Sequence, residues 1–238
     1  MPIADKKLDR LSFYDLIPDS MQELLAKEGT EVSANKESII FYEGEVPKHI
    51  YFILEGQVRL TKTSPEGKVF FLQKKKQYDL LGELSIFNSL KYQYNAEVTQ
   101  EALLLRFTCH QFERLLIAHE ELAVAFMKWL SKENQVMMAQ FRDLVFCGKQ
   151  GAVFSILVRL SNEYGQTVSQ GILINRKITN QELANYVGAT RESINRILKR
   201  LIKQKIISVN TKYITIHDLP FLQAHLRCNH CPFEECTI

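Results

Sequence analysis

Glycine and proline are scarce in this chain, 10 and 6 among 238 residues. Between Gln111 and Phe146 neither occurs, a run of 36 residues. That absence excludes a succession of tight turns there, and a continuous helix of this length would span about 54 Å. No stretch approaches the roughly 18 consecutive apolar residues that a membrane span requires, so no membrane association is expected. The opening residues MPIADKKLDRLSFYDLI carry no apolar signal-peptide core, so a cytoplasmic location is expected. Repeats and low-complexity tracts are absent. No Ser/His/Asp set, phosphate-binding glycine loop or HExxH motif stands out, so an enzyme is not expected. Cysteine is sparse too, yet three of the five fall in the last eleven residues, CNHCPFEECTI.

The charge present is unevenly placed. From Gln150 onward 11 Lys and Arg face 6 Asp and Glu, whereas residues 1–149 hold 19 against 21. A basic C-terminal part implies an anionic partner. Residues 9–28 read as helix. Residues 36–108 read as short strands, in ESIIFYEGE, YFILEGQVRLTK and GKVFFLQK. Turn signals at Glu43-Gly44, Glu55-Gly56 and Ser64-Pro65-Glu66-Gly67 separate them, as in a sandwich or barrel. After a break near His119, a long helix runs from about Glu121. Its apolar stripe, Leu122, Phe126, Leu130, Met137, Phe141 and Leu144, is widened by Trp129, Val136 and Met138. So wide a face predicts a helix that covers the β-domain on one side and pairs with its twin in a homodimer on the other. Gly148 and Gly151 mark a hinge. The expected fold is α+β: a β-roll sensor domain over 1–120, a dimerisation helix over 121–147, a smaller domain over 148–218 and a cysteine-containing tail over 219–238.

TNQELANYVGATRESINRILKRLIKQKII within that smaller domain fits a helix-turn-helix. Thr179 with Glu182 has the capping-box spacing, Gly188 suits a turn at positive φ, and Thr190 with Ser193 starts the second helix. Small Ala184 permits a close crossing, and Leu183, Val187, Ile194 and Ile197 point inward. Arg191, Glu192, Asn195, Arg196, Lys199 and Arg200 form the outer face. Such a helix presents its first residues to base edges in the major groove of double-stranded DNA. Arginine pairs with guanine and glutamate with cytosine, whereas Lys199, Arg200 and Lys203 lie where phosphates run. ISVNTKYITI reads as a hairpin turning at Asn210-Thr211, the wing of a winged helix, with Lys212 near the DNA backbone.

Cys228, Cys231 and Cys236 form a Cys-x2-Cys-x4-Cys set. Thiolates in this pattern suit an iron–sulfur cluster or zinc, the latter completed by His225 or His230. Cys109, in an apolar segment, reads as a packed thiol.

A β-roll, a long helix and a winged helix-turn-helix in this order resemble the CRP/FNR family of dimeric bacterial transcription regulators. GELSIF at 82–87 is similar to the sensor-domain signature, and RESINRILKRL to the recognition helix. The resemblance implies that Arg191, Glu192 and Arg196 read a palindrome with TGTGA-like half-sites, with RNA polymerase as a further partner. Members that bind cyclic AMP hold its phosphate with Gly-Glu and then Arg-Ser. Here Gly82 and Glu83 are followed by Tyr94 and Asn95, so no cyclic nucleotide is expected. The Bacillus-type branch carries three C-terminal cysteines at this spacing and a 4Fe–4S cluster, one per subunit, whose fourth ligand is an Asp in an Arg-Asp-Leu run. By that likeness Asp143 takes the role, with Cys147 one turn on as the alternative. The cluster would then tie the tail to the hinge, and its oxidation would release both.

Overall fold

The structure, a computed structural model, describes residues 12–87, 91–226 and Cys236. Cys228, Cys231 and His230 therefore lie outside the described residues. The fold mixes helix and sheet in two compact units that part between Glu133 and Asn134, inside the long helix rather than at either end of it.

The first unit opens on a 3-10 turn, Tyr14–Leu16, and helix α1, Asp19–Glu28. The single helix expected over 9–28 is thus broken, because Pro18 has an extended backbone and precedes the first turn of α1. Six strands follow: β1 Thr30–Ala34, β2 Ile39–Phe41, β3 His49–Thr63, β4 Val69–Lys75, β5 Leu80–Leu81 and β6 Asn95–Thr108. They form one antiparallel sheet in the order β1-β6-β3-β4, with β2 on β6 and β5 on β3.

Glu55-Gly56 is not a turn. β3 runs through it for 15 residues, and the register against β6 shifts at Ile53/Glu55 and Glu55/Gln57. The extra residue makes a β-bulge. Gly56 sits at φ +91°, where a Cβ would lie 2.2 Å from the Glu101 carbonyl oxygen. Only glycine satisfies both conditions. Ser64-Pro65-Glu66-Gly67 is a turn as read: the Gly67 amide donates to the Ser64 carbonyl at 2.9 Å.

Helix α2, Cys109–Ala118, and helix α3, Glu120–Tyr164, close the roll. The break falls at His119, the residue that ends α2. Phe126 and Trp129 of α3 are buried, and both stand edge-on to Phe13 with ring centroids at 6.2 and 6.0 Å. Such contacts add to the large apolar area the rings bury. One buried ion pair fixes α3 to the sheet. Lys75 of β4 is fully buried, and its Nζ lies 2.6 Å from Glu133 Oε2 and 4.7 Å from the Trp129 ring.

The second unit begins with the rest of α3. At Gly148 the backbone leaves helical geometry (φ +59°, ψ −165°). An 18-residue window of α3 has a mean hydropathy of 1.3, high enough by composition for a membrane span, which the sequence reading did not foresee. Of that window 61% is buried, and Val153, Phe154, Leu157 and Leu160 are core residues of this unit. Strands β7 Gly165–Val168 and β8 Gly171–Ile174, helices α4 Asn180–Val187 and α5 Arg191–Lys203, strands β9 Ile207–Asn210 and β10 Tyr213–Ile216 and helix α6 Leu219–His225 complete it. Its antiparallel sheet runs β7-β8-β10-β9. β7 was not anticipated: all four of its residues are exposed, so it carries no alternating apolar signal. The wing hairpin also turns one residue later than read. Asn210 pairs with Tyr213, and Thr211 and Lys212 carry the positive φ values, +49° and +71°. Two consecutive positive φ angles make the turn that matches strand twist.

Replacing Gly56 with alanine is expected to destabilise the first unit by about 3 kcal/mol, since strain and a backbone clash coincide. Urea unfolding followed by the fluorescence of Trp129, the only tryptophan, measures the shift.

Candidate functional site

Each helix of the helix-turn-helix starts on a threonine. Thr179 accepts from the Glu182 amide at 3.0 Å, and Thr190 accepts from the Ser193 amide at 3.3 Å. The reciprocal half of the expected capping box is missing, because the Glu182 carboxylate pairs with Arg176 instead. Gly188 ends α4 at φ +63°, and Ala184 is fully buried. Ile194, Leu198 and Leu201 of α5 are buried, while Ile197, expected inside, is only half-buried at the edge of the core.

That packing turns Arg191, Glu192, Asn195, Arg196, Lys199 and Arg200 outward, all exposed. Thr190 is exposed too, and Ser193 is half-buried; the two hydroxyls lie 3.1 Å apart, so both serve the start of the helix. The wing is pinned to the base of the motif, since the Ile178 amide donates to the Lys212 carbonyl at 2.9 Å. Lys212 and Arg191 thereby line one shallow groove with Thr179, Asn180 and Val209. Guanidinium and ammonium groups on one open face form an anion-binding surface with the dimensions of a major-groove reader.

In the first unit Gly82 stands at φ +81° and begins a 3-10 turn containing Glu83 and Ser85, both buried. The Glu83 carboxylate is not open. Tyr94 donates its hydroxyl to Glu83 Oε2 at 2.7 Å and accepts from the Gly82 amide at 3.1 Å. Burial, reinforced by the Glu83 charge, holds the Tyr94 phenol well above its ordinary pKa. Tyr92 stacks on Phe41 with centroids 3.8 Å apart. Asn95 accepts from the Glu43 amide at 2.9 Å. Cys109 behaves as a packed thiol, and burial raises its pKa.

The third constellation surrounds the bend in α3. Asp143 is 4% exposed. Its Oδ2 accepts from Ser155 Oγ at 2.6 Å and lies 3.5 Å from an Arg159 guanidinium nitrogen. Twelve residues of unbroken helix would separate Asp143 from Ser155 by about 18 Å, so the bend at Gly148 makes these bonds. Oδ1 accepts from Arg142, Nε at 3.1 Å and Nη2 at 2.7 Å. Cys147 packs against the core of the unit, with Sγ 3.8 Å from the His225 carbonyl oxygen. A Cβ on Gly151 would fall 1.9 Å from Cys147 Cβ and 3.7 Å from the Asp143 carbonyl oxygen, so glycine keeps that space open. Cys236 packs against the same core, and its carbonyl accepts from Asn162 Nδ2 at 2.7 Å.

The structure therefore brings Asp143, Cys147 and Cys236 into one unit. Among the described residues no group of three or more His, Cys, Asp or Glu is placed to hold a metal. Asp143 is a buried carboxylate in a unit that also anchors the tail, which fits the thiolate-plus-carboxylate donor set. Ser155, Arg159 and Asn162 were missed in the sequence. Arg159 left a signal: it is a lone cation in the apolar run GAVFSILVRL, and a buried charge requires a counter-charge.

Comparison with known proteins agrees with this layout. The family model of the cyclic nucleotide-binding domain matches residues 31–119, and that of the Crp-like helix-turn-helix domain matches residues 152–225. The anaerobic regulatory protein of Bacillus subtilis (strain 168) is 36% identical over 231 residues, 96% of this chain and 97% of that protein. A global nitrogen regulator of Nostoc sp. is 27% identical over 180 residues, 75% of this chain and 81% of its own. Among solved structures, the c-di-GMP responsive global regulator CLP of Xanthomonas campestris aligns with a TM-score of 0.74 at 19% identity, covering 84% of this chain and 98% of that one. A CooA mutant from Carboxydothermus hydrogenoformans aligns at 0.71 and 19%, covering 86% and 90%.

Tyr94→Phe is expected to destabilise the first unit by about 1–3 kcal/mol, the cost of leaving Glu83 and the Gly82 amide short of a partner. The phenol's pKa is higher folded than unfolded, so its stabilisation is complete below pH about 10 and lost as pH rises through the folded value. Urea midpoints taken across that range should fall in the wild type and fall less in Tyr94→Phe.

Proposed function

The chain belongs to the CRP/FNR family of DNA-binding transcription regulators, and from that premise we propose an oxygen-responsive member acting in anaerobic gene regulation. It binds as a homodimer to a palindrome with TGTGA-like half-sites about one helical turn apart. It works in the cytoplasm with RNA polymerase, without a cyclic nucleotide. A 4Fe–4S cluster, one per subunit, is held by Cys228, Cys231, Cys236 and Asp143.

The observation that carries the DNA reading is the exposed row Arg191, Glu192, Arg196 on α5, with Lys212 of the wing beside it. Arg191 and Arg196 suit guanine edges and Glu192 suits cytosine N4. Lys199 and Lys212 are placed for phosphates. Met137, Met138, Phe141 and Val145 support a dimer: all four are exposed on α3, at helical spacing. Against a cyclic nucleotide stands Tyr94, whose hydroxyl occupies the Glu83 carboxylate that a nucleotide would address.

Oxygen sensing is supported by likeness to an anaerobic regulatory protein along 96% of this chain, and by the anchoring of Cys236 in the unit that buries Asp143. When bound, the cluster supplies oxygen-labile iron and sulfide that bridge tail and bend. The chain's own residues do the rest. Asn162 holds the Cys236 backbone, and Gly148 permits the bend on which the orientation of α5 depends.

Protein purified without oxygen is expected to be brown, with about four irons per chain, and to bleach in air with loss of operator binding. Colourless protein carrying zinc would remove the cluster and leave the DNA reading intact. On operator DNA, Arg191→Ala should cost about 1–3 kcal/mol and relax one base position, whereas Lys199→Ala should weaken all sequences alike and reduce the salt slope by about one. Electrophoretic titrations at several salt concentrations separate the two.

A further inference from the structure

Three side chains donate to Asp143, and they divide between its two oxygens. Ser155 and Arg159 approach Oδ2 from beyond the bend, and they are 5% and 2% exposed. They act in series: Arg159 Nε donates to Ser155 Oγ at 3.1 Å, and Ser155 donates its proton to Oδ2 at 2.6 Å. Arg142 approaches Oδ1 from the neighbouring position, with a side chain 39% exposed.

The two sides resist separation very differently. Taking Oδ2 away would strand a guanidinium in an apolar interior, which low dielectric penalises heavily. Taking Oδ1 from Arg142 lets a half-exposed side chain return to water, and pairs of that kind stabilise weakly. A ligand arriving at Asp143 therefore exchanges with Arg142 first and leaves the Ser155–Arg159 side intact.

Resting on the reading in which Asp143 binds cluster iron, we propose that Oδ1 is the ligating oxygen, that Ser155 and Arg159 are positioning residues that anchor Oδ2, and that Arg142 competes with iron for Oδ1. The exchange replaces Arg142's hydrogen bonds by one bond to iron and moves no proton. When the iron leaves, Arg142 recaptures the oxygen and the carboxylate stays pinned across the bend. Two cations on one carboxylate thereby act in opposite senses: Arg159 favours ligation and Arg142 opposes it.

The test compares full-length wild type with Arg142→Gln, Arg159→Gln and Ser155→Ala, each also combined with Asp143→Cys. All are purified without oxygen and reconstituted with ferrous iron and sulfide. Iron per chain and the half-time of visible bleaching in air are read, with circular dichroism as a check of folding. Arg159→Gln and Ser155→Ala should weaken iron retention about tenfold, the usual scale for residues that orient a ligand. Arg142→Gln should lengthen the half-time by up to about fivefold, the ceiling for an exposed pair. In the Asp143→Cys background, where no second oxygen exists, both effects should disappear. Ser155→Ala keeps every charge and reads the anchor alone should Arg159→Gln fail to fold. Effects of the same sign from the two arginines, or an undiminished Arg159→Gln effect with Cys at 143, would overturn the proposal. Wild type that forms no cluster overturns instead the cluster reading beneath it, and is recognised before any variant is compared.

Discussion

A buried arginine must have a counter-charge, and the bend in the long helix is arranged around that need. Arg159 is 2% exposed, and the carboxylate of Asp143 reaches it directly and through Ser155. These residues meet only because Gly148 leaves helical geometry and folds one stretch of α3 back toward the other. Positive φ makes the bend inexpensive for glycine alone, and the absence of a Cβ on Gly151 leaves room for Cys147 on its inner side. Bend, ion pair and thiol are thus one device, and the core of the second unit grows from the helix that leaves it.

The sensor unit shows the complementary case, a polar pocket closed by its own chain. Glu83 and the Gly82 turn have the form of a phosphate-binding corner, yet a tyrosine hydroxyl takes both the carboxylate and the amide. A buried carboxylate without a donor is costly, so the loss of a charged ligand is compensated here by a neutral phenol. Stacking of Tyr92 on Phe41 makes this part of the roll interior rigid and apolar. Such a domain serves as a packing platform for α2 and α3, to which Lys75 and Glu133 secure it.

The reading surface follows from packing of a different kind. α5 buries Ile194, Leu198 and Leu201 at helical spacing, and the charged residues between them have nowhere to go but outward. Pinning the wing to Ile178 adds a lysine from a distant part of the sequence to the same face. Chemistry suited to bases and chemistry suited to phosphates then lie side by side on one rigid support.

Local signals determined much of this. Helical period, threonine caps and a left-handed glycine are properties of neighbouring residues, so α4, the turn and α5 were legible in the sequence, as were the roll, the break at His119 and the bend. Where a feature depended on pairing across the sheet, the local signal misled. Glu55-Gly56 looks like a turn, but β6 accommodates it as a bulge, and register with β10 moved the wing turn to Thr211-Lys212. The partners of Asp143 were wholly tertiary. Nothing in the spacing of residues 143, 155 and 159 joins them in a straight helix, and only the bend brings the buried charges within reach of each other.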